Sequence, residues 1–245
     1  MRQSVASMLR GRSRPSTTRS QPRSIPSMSE PTSDRVRVRR LPERGVYDRA
    51  SLDAILDEAP ICHLGFVVDG KPFVIPTIHA RDGDTIYLHG SPASRMLRLM
   101  KEGVSVCVTA TILDGIVAAR SVFHHSMNYR SAVVLGEGRL VDDEDERLRA
   151  MEMITEHVLP GRWSEARHPS EIESKGTLIV AVPIEEFSVK TRTGPPGDDQ
   201  ADCDLPIWAG VIPLAMTPGV PEPDPLLHDG IETARSVDRY VSREL

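Results

Sequence analysis

Residues 61–100 read ICHLGFVVDGKPFVIPTIHARDGDTIYLHGSPASRMLRLM, and their punctuation decides the fold. Three apolar, strand-like runs are separated by Asp69-Gly70-Lys71 and by Arg81-Asp82-Gly83-Asp84. Glycine reaches the positive φ of a tight connection without a Cβ penalty, so the pattern predicts a meander of antiparallel strands. The third run, residues 85–89, leads into Gly90-Ser91-Pro92-Ala93-Ser94-Arg95. Ser91 is placed to cap a helix, with Pro92 at its first position, where a missing N–H costs nothing. Met96, Leu97 and Met100 then fall on one helical face, and Gly103 stops the helix. A strand running through glycine and serine into a helix start that carries an arginine can grip a phosphate, because backbone N–H groups, helix dipole and guanidinium converge there. An ordinary strand-to-helix turn with a surface arginine explains the same letters.

Upstream, Asp48 can cap a helix from Arg49, in which Leu52, Ile55, Leu56 and Ala59 keep amphipathic spacing until Pro60 ends it. Such a helix can plug the open end of a small barrel. Downstream, residues 104–112 alternate with period two as a half-buried strand does, and Leu113-Asp114-Gly115 suggests a turn or a bulge. A connection containing His124 and His125 leads to a strand over residues 129–141, whose Gly136 and Gly138 predict a bulge or a close backbone approach. Asp142-Asp143-Glu144-Asp145 complements the N-terminal dipole of a helix with a buried stripe of Leu148, Met151, Thr155 and Val158. A strand over residues 177–183 and its continuation over 187–192 close the regular pattern, after which the chain reads as loop. Successive strands with short links and a few helices make a mainly β fold, a barrel with appended helices.

With 245 residues, one domain with tails is expected. We divide it into a leader over residues 1–33, a barrel domain over 34–192 and a loop-rich extension over 193–245 that packs on the barrel. The leader is rich in Ser, Arg and Pro and reads as disordered. Its arginines and scarcity of acids also fit a mitochondrial targeting peptide, but Pro15, Pro22 and Pro26 interrupt any helix and Met28 is an alternative start. A cytoplasmic location is the plainer expectation, with the mitochondrion as the alternative. Arg35, Arg37, Arg39 and Arg40, interleaved with Val36 and Val38, suggest an extended basic arm that is solvated or pairs with the acidic body. Residues 1–40 hold ten arginines against Glu30 and Asp34, so a net charge of −5 leaves the remainder at −13. An acidic body argues against nucleic acid as a partner. No apolar run reaches the ~20 residues of a membrane-spanning helix. Cys62, Cys107 and Cys203 form no CxxC pair, and the first two read as small core residues.

Six segments carry a resemblance in a fixed order: YDRASLDAILDEAPICHLGF, DGKPFVIPT, YLHGSPASRMLRLM, HHSMNYRSAVVLGEGRLV, KTRTGPPGDD and PIWAGVIPL. Over residues 47–214 the chain resembles the pyridoxamine 5'-phosphate oxidase-like FMN-binding split-barrel family, and most closely its flavin-nucleotide-binding and nitroimidazole-resistance-like branch. The resemblance implies a six-stranded split barrel and a homodimer with FMN in the seam between subunits. It also implies an oxidoreductase that moves electrons to or from a small organic substrate. A non-enzymatic flavin carrier or redox sensor is the alternative on the same fold, as is a binder of haem or a deazaflavin.

The resemblance assigns Val74, Ile75, Pro76 and Thr77 to the floor beneath the flavin ring, and His89, Gly90, Ser91 and Arg95 to its ribityl and phosphate. Ser131, with Arg130, would complete the phosphate site from the partner subunit, with Tyr129 a cofactor-binding candidate beside them, although Tyr129 and Arg130 also read as a plain cross-strand pair. Trp208 would close over the ring, or else anchor the tail as a lone hydrophobic residue. In the oxidases a lysine follows the arginine; here Met96 stands instead, and restoring the lysine should add a cation. Lys190 and Arg192 are candidates for the rim, with surface solvation as the simpler reading. Adjacent His124 and His125 point to opposite sides of an extended chain, so they do not share a metal, though one could act as acid or base beside a flavin. No catalytic residue and no metal site is assigned.

Overall fold

The computed structural model describes residues 30–242, and the readings made for most of the leader lie outside the described residues. Gly45–Val46 form a short strand, β1, followed by helix α1 (Arg49–Glu58), whose cap is as expected: the Asp48 carboxylate accepts from the Ser51 N–H at 2.8 Å. Strands β2 (Cys62–Val68), β3 (Lys71–Thr77), β4 (His79–Asp82) and β5 (Thr85–Gly90) follow, then helix α2 (Arg95–Lys101). The long strands β6 (Ser105–Ala118) and β7 (Ser126–Glu137) run into the short β8 (Arg139–Leu140), helix α3 (Glu144–Val158) and helix α4 (Glu171–Lys175). Strands β9 (Leu178–Pro183), β10 (Glu186–Arg192) and β11 (Gly210–Pro213) and helix α5 (Arg235–Ser242) complete the chain.

Two antiparallel sheets result, one ordered β1-β10-β7-β6-β2-β3 with β11 added to β6, the other β4-β5-β9-β8. The mainly β fold with appended helices is therefore present. Its meander differs in one respect. The middle run is two strands in different sheets, β3 and β4, because Ile78 carries the chain from one sheet to the other. A second transfer occurs at Gly138, between β7 and β8. A Cβ there would lie 2.8 Å from Met100 Cβ, so only glycine lets the crossing pass this close to α2. Asp114 sits at a register shift between Leu113 and Gly115, which makes the expected irregularity a bulge within β6.

Between the sheets lies one apolar core, in which Leu52, Leu56, Leu64, Leu88, Val108 and Val180 have no exposed surface. Truncating any of the leucines to alanine should cost about 2–5 kcal/mol. A smaller cluster on the outer face of β5 and β9 is made by Tyr87, Ile179 and Ala181 with Ala150 and Ile154 of α3. The buried stripe of α3 is thus Ala150 and Ile154. Leu148 and Val158, expected inside, are 47% and 46% exposed. Helix α2 also starts later than expected. Ser94 is its cap residue, while Ser91 closes a turn in which its carbonyl accepts from the Ser94 N–H at 2.8 Å.

The extension is less loop-like than its sequence suggests. It supplies β11, which pairs with residues 115–118 of β6, and α5, whose Ser236 N–H and O–H both donate to the Glu165 carboxylate. Of the basic arm, Val36 is buried, Arg35 faces Glu186, and Arg37 and Arg39 face Asp34.

Candidate functional site

Strand β3 stands at the end of the larger sheet's strand order, with β2 as its neighbour among the described strands. Val74 is 66% exposed and Ile75 38%, and Pro76, which has no N–H to offer, is exposed beside them. Opposite, Ile75 pairs with Leu64 and Pro76 with His63 of β2. An exposed apolar strand at the end of a sheet, interrupted by proline, offers a flat floor with backbone polar groups along its edge. Those are the features an aromatic ring system with a polar rim requires, and Thr77 at its end is half-buried.

The β5–α2 turn lies on the other sheet. A Cβ on Gly90 would come within 2.9 Å of Leu97 Cδ1, so α2 packs directly on this turn. Ser91 is exposed, and its hydroxyl accepts from the Ala93 N–H at 3.2 Å. With the Ser94 N–H also engaged, two of the turn's backbone donors are satisfied within it, and α2 begins at Arg95. Met96 is only 6% exposed and belongs to the core. The expectation that a lysine at 96 would add a cation is therefore overturned: its charge would be buried among Leu97, Met100 and their neighbours.

His89 does not face the same way. Side chains alternate along β5, with Ile86 and Leu88 in the core between the sheets, so Tyr87 and His89 point outward beneath α3. His89 lines a cavity of about 330 Å3 with Met151, Ile154, Trp163 and Pro169 among its walls. Its Nδ1 is buried with no hydrogen-bond partner among the described residues, and burial lowers the imidazole's pKa.

Tyr129, Arg130 and Ser131 sit on β7. From β3 to β7 the sheet order is three strand spacings, roughly 14 Å. One chain therefore does not bring these residues together with Val74–Thr77. Arg130 is already committed. Its guanidinium donates to both Glu58 oxygens, at 2.5 and 2.8 Å, and to Asp114 at 2.8 and 3.0 Å. These bonds raise its pKa and lower that of Glu58. The arginine thus locks the end of α1 to the β6 bulge. Ser131 Oγ lies 3.1 Å from Thr111 Oγ1.

Trp208 is 67% exposed just before β11, its indole packed over Gly210. Lys190 donates to the Arg40 carbonyl at 3.0 Å. Arg192 is neither a rim cation nor solvated. It is buried and donates to Asn128 Oδ1 and to the carbonyls of Gly194 and Pro195, which pins the GPPGDD loop. His124 and His125 lie on an exposed turn, His125 Nδ1 3.0 Å from the Ser121 carbonyl oxygen. Among the described residues no group of His, Cys, Asp and Glu could hold a metal ion. No described helix is long and apolar enough to cross a membrane.

Residue-level reading missed the His89 cavity because its walls are drawn from α3, α4 and the segment between them, which no local motif links. It also missed the pairing of His79 with His157, whose rings lie 4.7 Å apart.

Two antiparallel sheets, the β5–α2 turn and the exposed β3 strand define a split-barrel class of protein. Residues 48–191 match the sequence profile of pyridoxamine 5'-phosphate oxidase, and the chain belongs to that family. Among solved structures it is similar to the flavocytochrome Anf3 from Azotobacter vinelandii, with 36% identity and a TM-score of 0.81, covering 86% of this chain and 99% of the other. It is also similar to the FAD and haem binding protein from Mycobacterium smegmatis, with 34% identity and a TM-score of 0.78, covering 80% and 97%. A Bacteroides thetaiotaomicron VPI-5482 protein ascribed to 5-nitroimidazole antibiotic resistance shares the fold at 22% identity and a TM-score of 0.50, covering 60% and 85%. No curated protein matches.

Proposed function

We propose that this chain is a homodimeric flavin-binding redox protein, exchanging electrons between a reduced donor and a small organic acceptor. The observation that carries the reading is the exposed apolar strand β3, Val74 and Ile75 beside Pro76, in a chain of this family. Val74–Thr77 would lie under the flavin ring. Gly90 allows α2 to close on the turn, and Arg95 would hold the phosphate. Tyr129 and Ser131, remote from β3 in one chain, would reach the flavin of the partner subunit, and Trp208 would shield the ring from water. A bound flavin supplies reversible electron and hydride transfer, and the protein contributes orientation and exclusion of solvent.

The family resemblance implies FMN, whereas similarity to an FAD and haem binding protein at 34% identity favours FAD. The same similarity, together with that to a flavocytochrome at 36%, supports a second reading in which haem is bound beside the flavin. Purified full-length protein tests all three points. Its absorbance spectrum should show flavin bands, and a haem band if the second reading holds. Chromatography of the released cofactor separates FMN from FAD. Protein that takes up no flavin when either nucleotide is supplied in excess would defeat the proposal.

A further inference from the structure

We propose that His89 is the axial ligand of a haem iron, and that the cavity beneath α3 receives the macrocycle. This inference rests on the haem reading above and goes beyond it by naming the site.

An axial ligand needs a neutral imidazole with a free nitrogen in a space large and apolar enough for a macrocycle. Among the described histidines His89 lines an apolar-walled space, open to solvent, in which the macrocycle would sit with its edge exposed. It faces a cavity of about 330 Å3 walled by Met151, Ile154, Trp163 and Pro169. Neither ring nitrogen has a hydrogen-bond partner among the described residues, and Nδ1 is sealed from the surface, which leaves Nε2 as the nitrogen available to a ligand in the cavity.

The other histidines fail on geometry. His79 and His157 spend Nε2 on the carbonyls of Leu56 and Ala59 and lie against each other. His63 is exposed on the surface of β2 and His228 in the extension. His124 leans on Asp199 and His125 on the Ser121 carbonyl, both on an exposed turn. His168 stacks on Trp163, with ring centroids 4.5 Å apart.

The cavity wall is built rather than incidental. The Glu156 carboxylate accepts from the N–H groups of Gly161 and Trp163 at 2.5 and 2.8 Å, which fixes the turn that carries the indole. Glu165, two residues on, is held by Ser236 of α5. Arg167 is paired bidentately with Glu173 among the lining residues. His89 also directly precedes Gly90, where the proposed flavin turn begins. The two groups would therefore meet at consecutive residues of one strand, on opposite faces.

The test uses full-length protein produced with haem supplied, comparing wild type, His89→Ala and His125→Ala by Soret absorbance and by electron paramagnetic resonance of the ferric state. His89→Ala should lose most of its haem while keeping its flavin, and added imidazole should restore haem uptake. His125→Ala should match wild type in both spectra. Retained flavin and an unchanged circular dichroism spectrum establish that His89→Ala is folded. If that variant unfolds, His89→Gln, which keeps polarity and size, replaces it. Haem retained by His89→Ala with an unaltered ferric spectrum would overturn the ligand assignment and leave the haem reading standing. A wild-type protein that takes up no haem would overturn both.

Discussion

His79 and His157 meet ring to ring, 4.7 Å between centroids, and each spends its Nε2 on a carbonyl at the C-terminal end of α1: Leu56 at 2.9 Å and Ala59 at 3.0 Å. Together they pin α1 to β4 and α3. His79 is fully buried, and desolvation, reinforced by His157, pushes its pKa down to about 4, while the nearby Asp57 pulls weakly the other way. Burial also lowers the pKa of His157.

A pH dependence of stability follows. The unfolded imidazole titrates near ~6.5, so between that value and about 4 the unfolded chain binds protons that folded His79 refuses. The stabilisation is whole above pH ~6.5 and falls as the pH drops through the folded value, by about 3 kcal/mol at most for His79. Thermal melts from pH 7 to pH 5 should show a declining Tm well before carboxylates titrate. His79→Gln, which can still donate to Leu56, should flatten the decline. A Tm constant over this range would contradict the assignment.

Arg130 provides a second test, because it is already neutralised by Glu58 and Asp114. Arg130→Ala should act on stability, with a loss of about 1 kcal/mol for such partly exposed pairs, a fall of roughly 2–4 °C in Tm. Flavin affinity should change little. A drop in affinity specific to phosphorylated flavins would assign Arg130 to the phosphate instead.

Arg95 should behave in the opposite way. A hydrogen bond to a charged group is worth ~1.5–3 kcal/mol, so Arg95→Ala should weaken FMN binding roughly 10- to 150-fold and riboflavin, which lacks the phosphate, far less. Titrating both flavins into both proteins measures this. Equal losses for the two would place the phosphate elsewhere. Met96→Lys, by contrast, should destabilise the fold without tightening either flavin, since the side chain is in the core.

Assembly offers a fourth measurement. If flavin is shared between β3 of one subunit and β7 of the other, light scattering should report a dimer, and stripping the flavin should weaken association by linkage. Stoichiometric flavin in a monomer would contradict this arrangement.

Much of the fold was legible because its signals are local. Asp48 before an amphipathic run, Gly70 and Gly83 at hairpin ends, and the period-two pattern of β6 each depend on residues close in sequence. What could not be read there depends on distant partners. The Ile78 step between sheets looks like one continuous strand until both ladders are known. The choice of Ala150 over Leu148 as the buried face of α3 is set by where β5 and β9 lie. Arg192 reads as a surface cation, yet Asn128 and two carbonyls enclose it. For the candidate site, the sequence pointed to β3, the β5–α2 turn and β7, and a single chain leaves β3 and β7 apart. His89 shares its strand with the turn, but alternation along β5 sets its side chain on the α3 side, and which side that is depends on where α3 and the core lie.

The crossing at Gly138 has a counterpart in how the fold opens. Strand β7 ends in one sheet at Glu137 and β8 begins in the other at Arg139, so neither ladder can open here without dragging on its neighbour. The two sheets should therefore behave as one foldon. In native-state hydrogen exchange the amides of Val134 and Val180, in different sheets, should report the same opening free energy and respond to denaturant with the same slope.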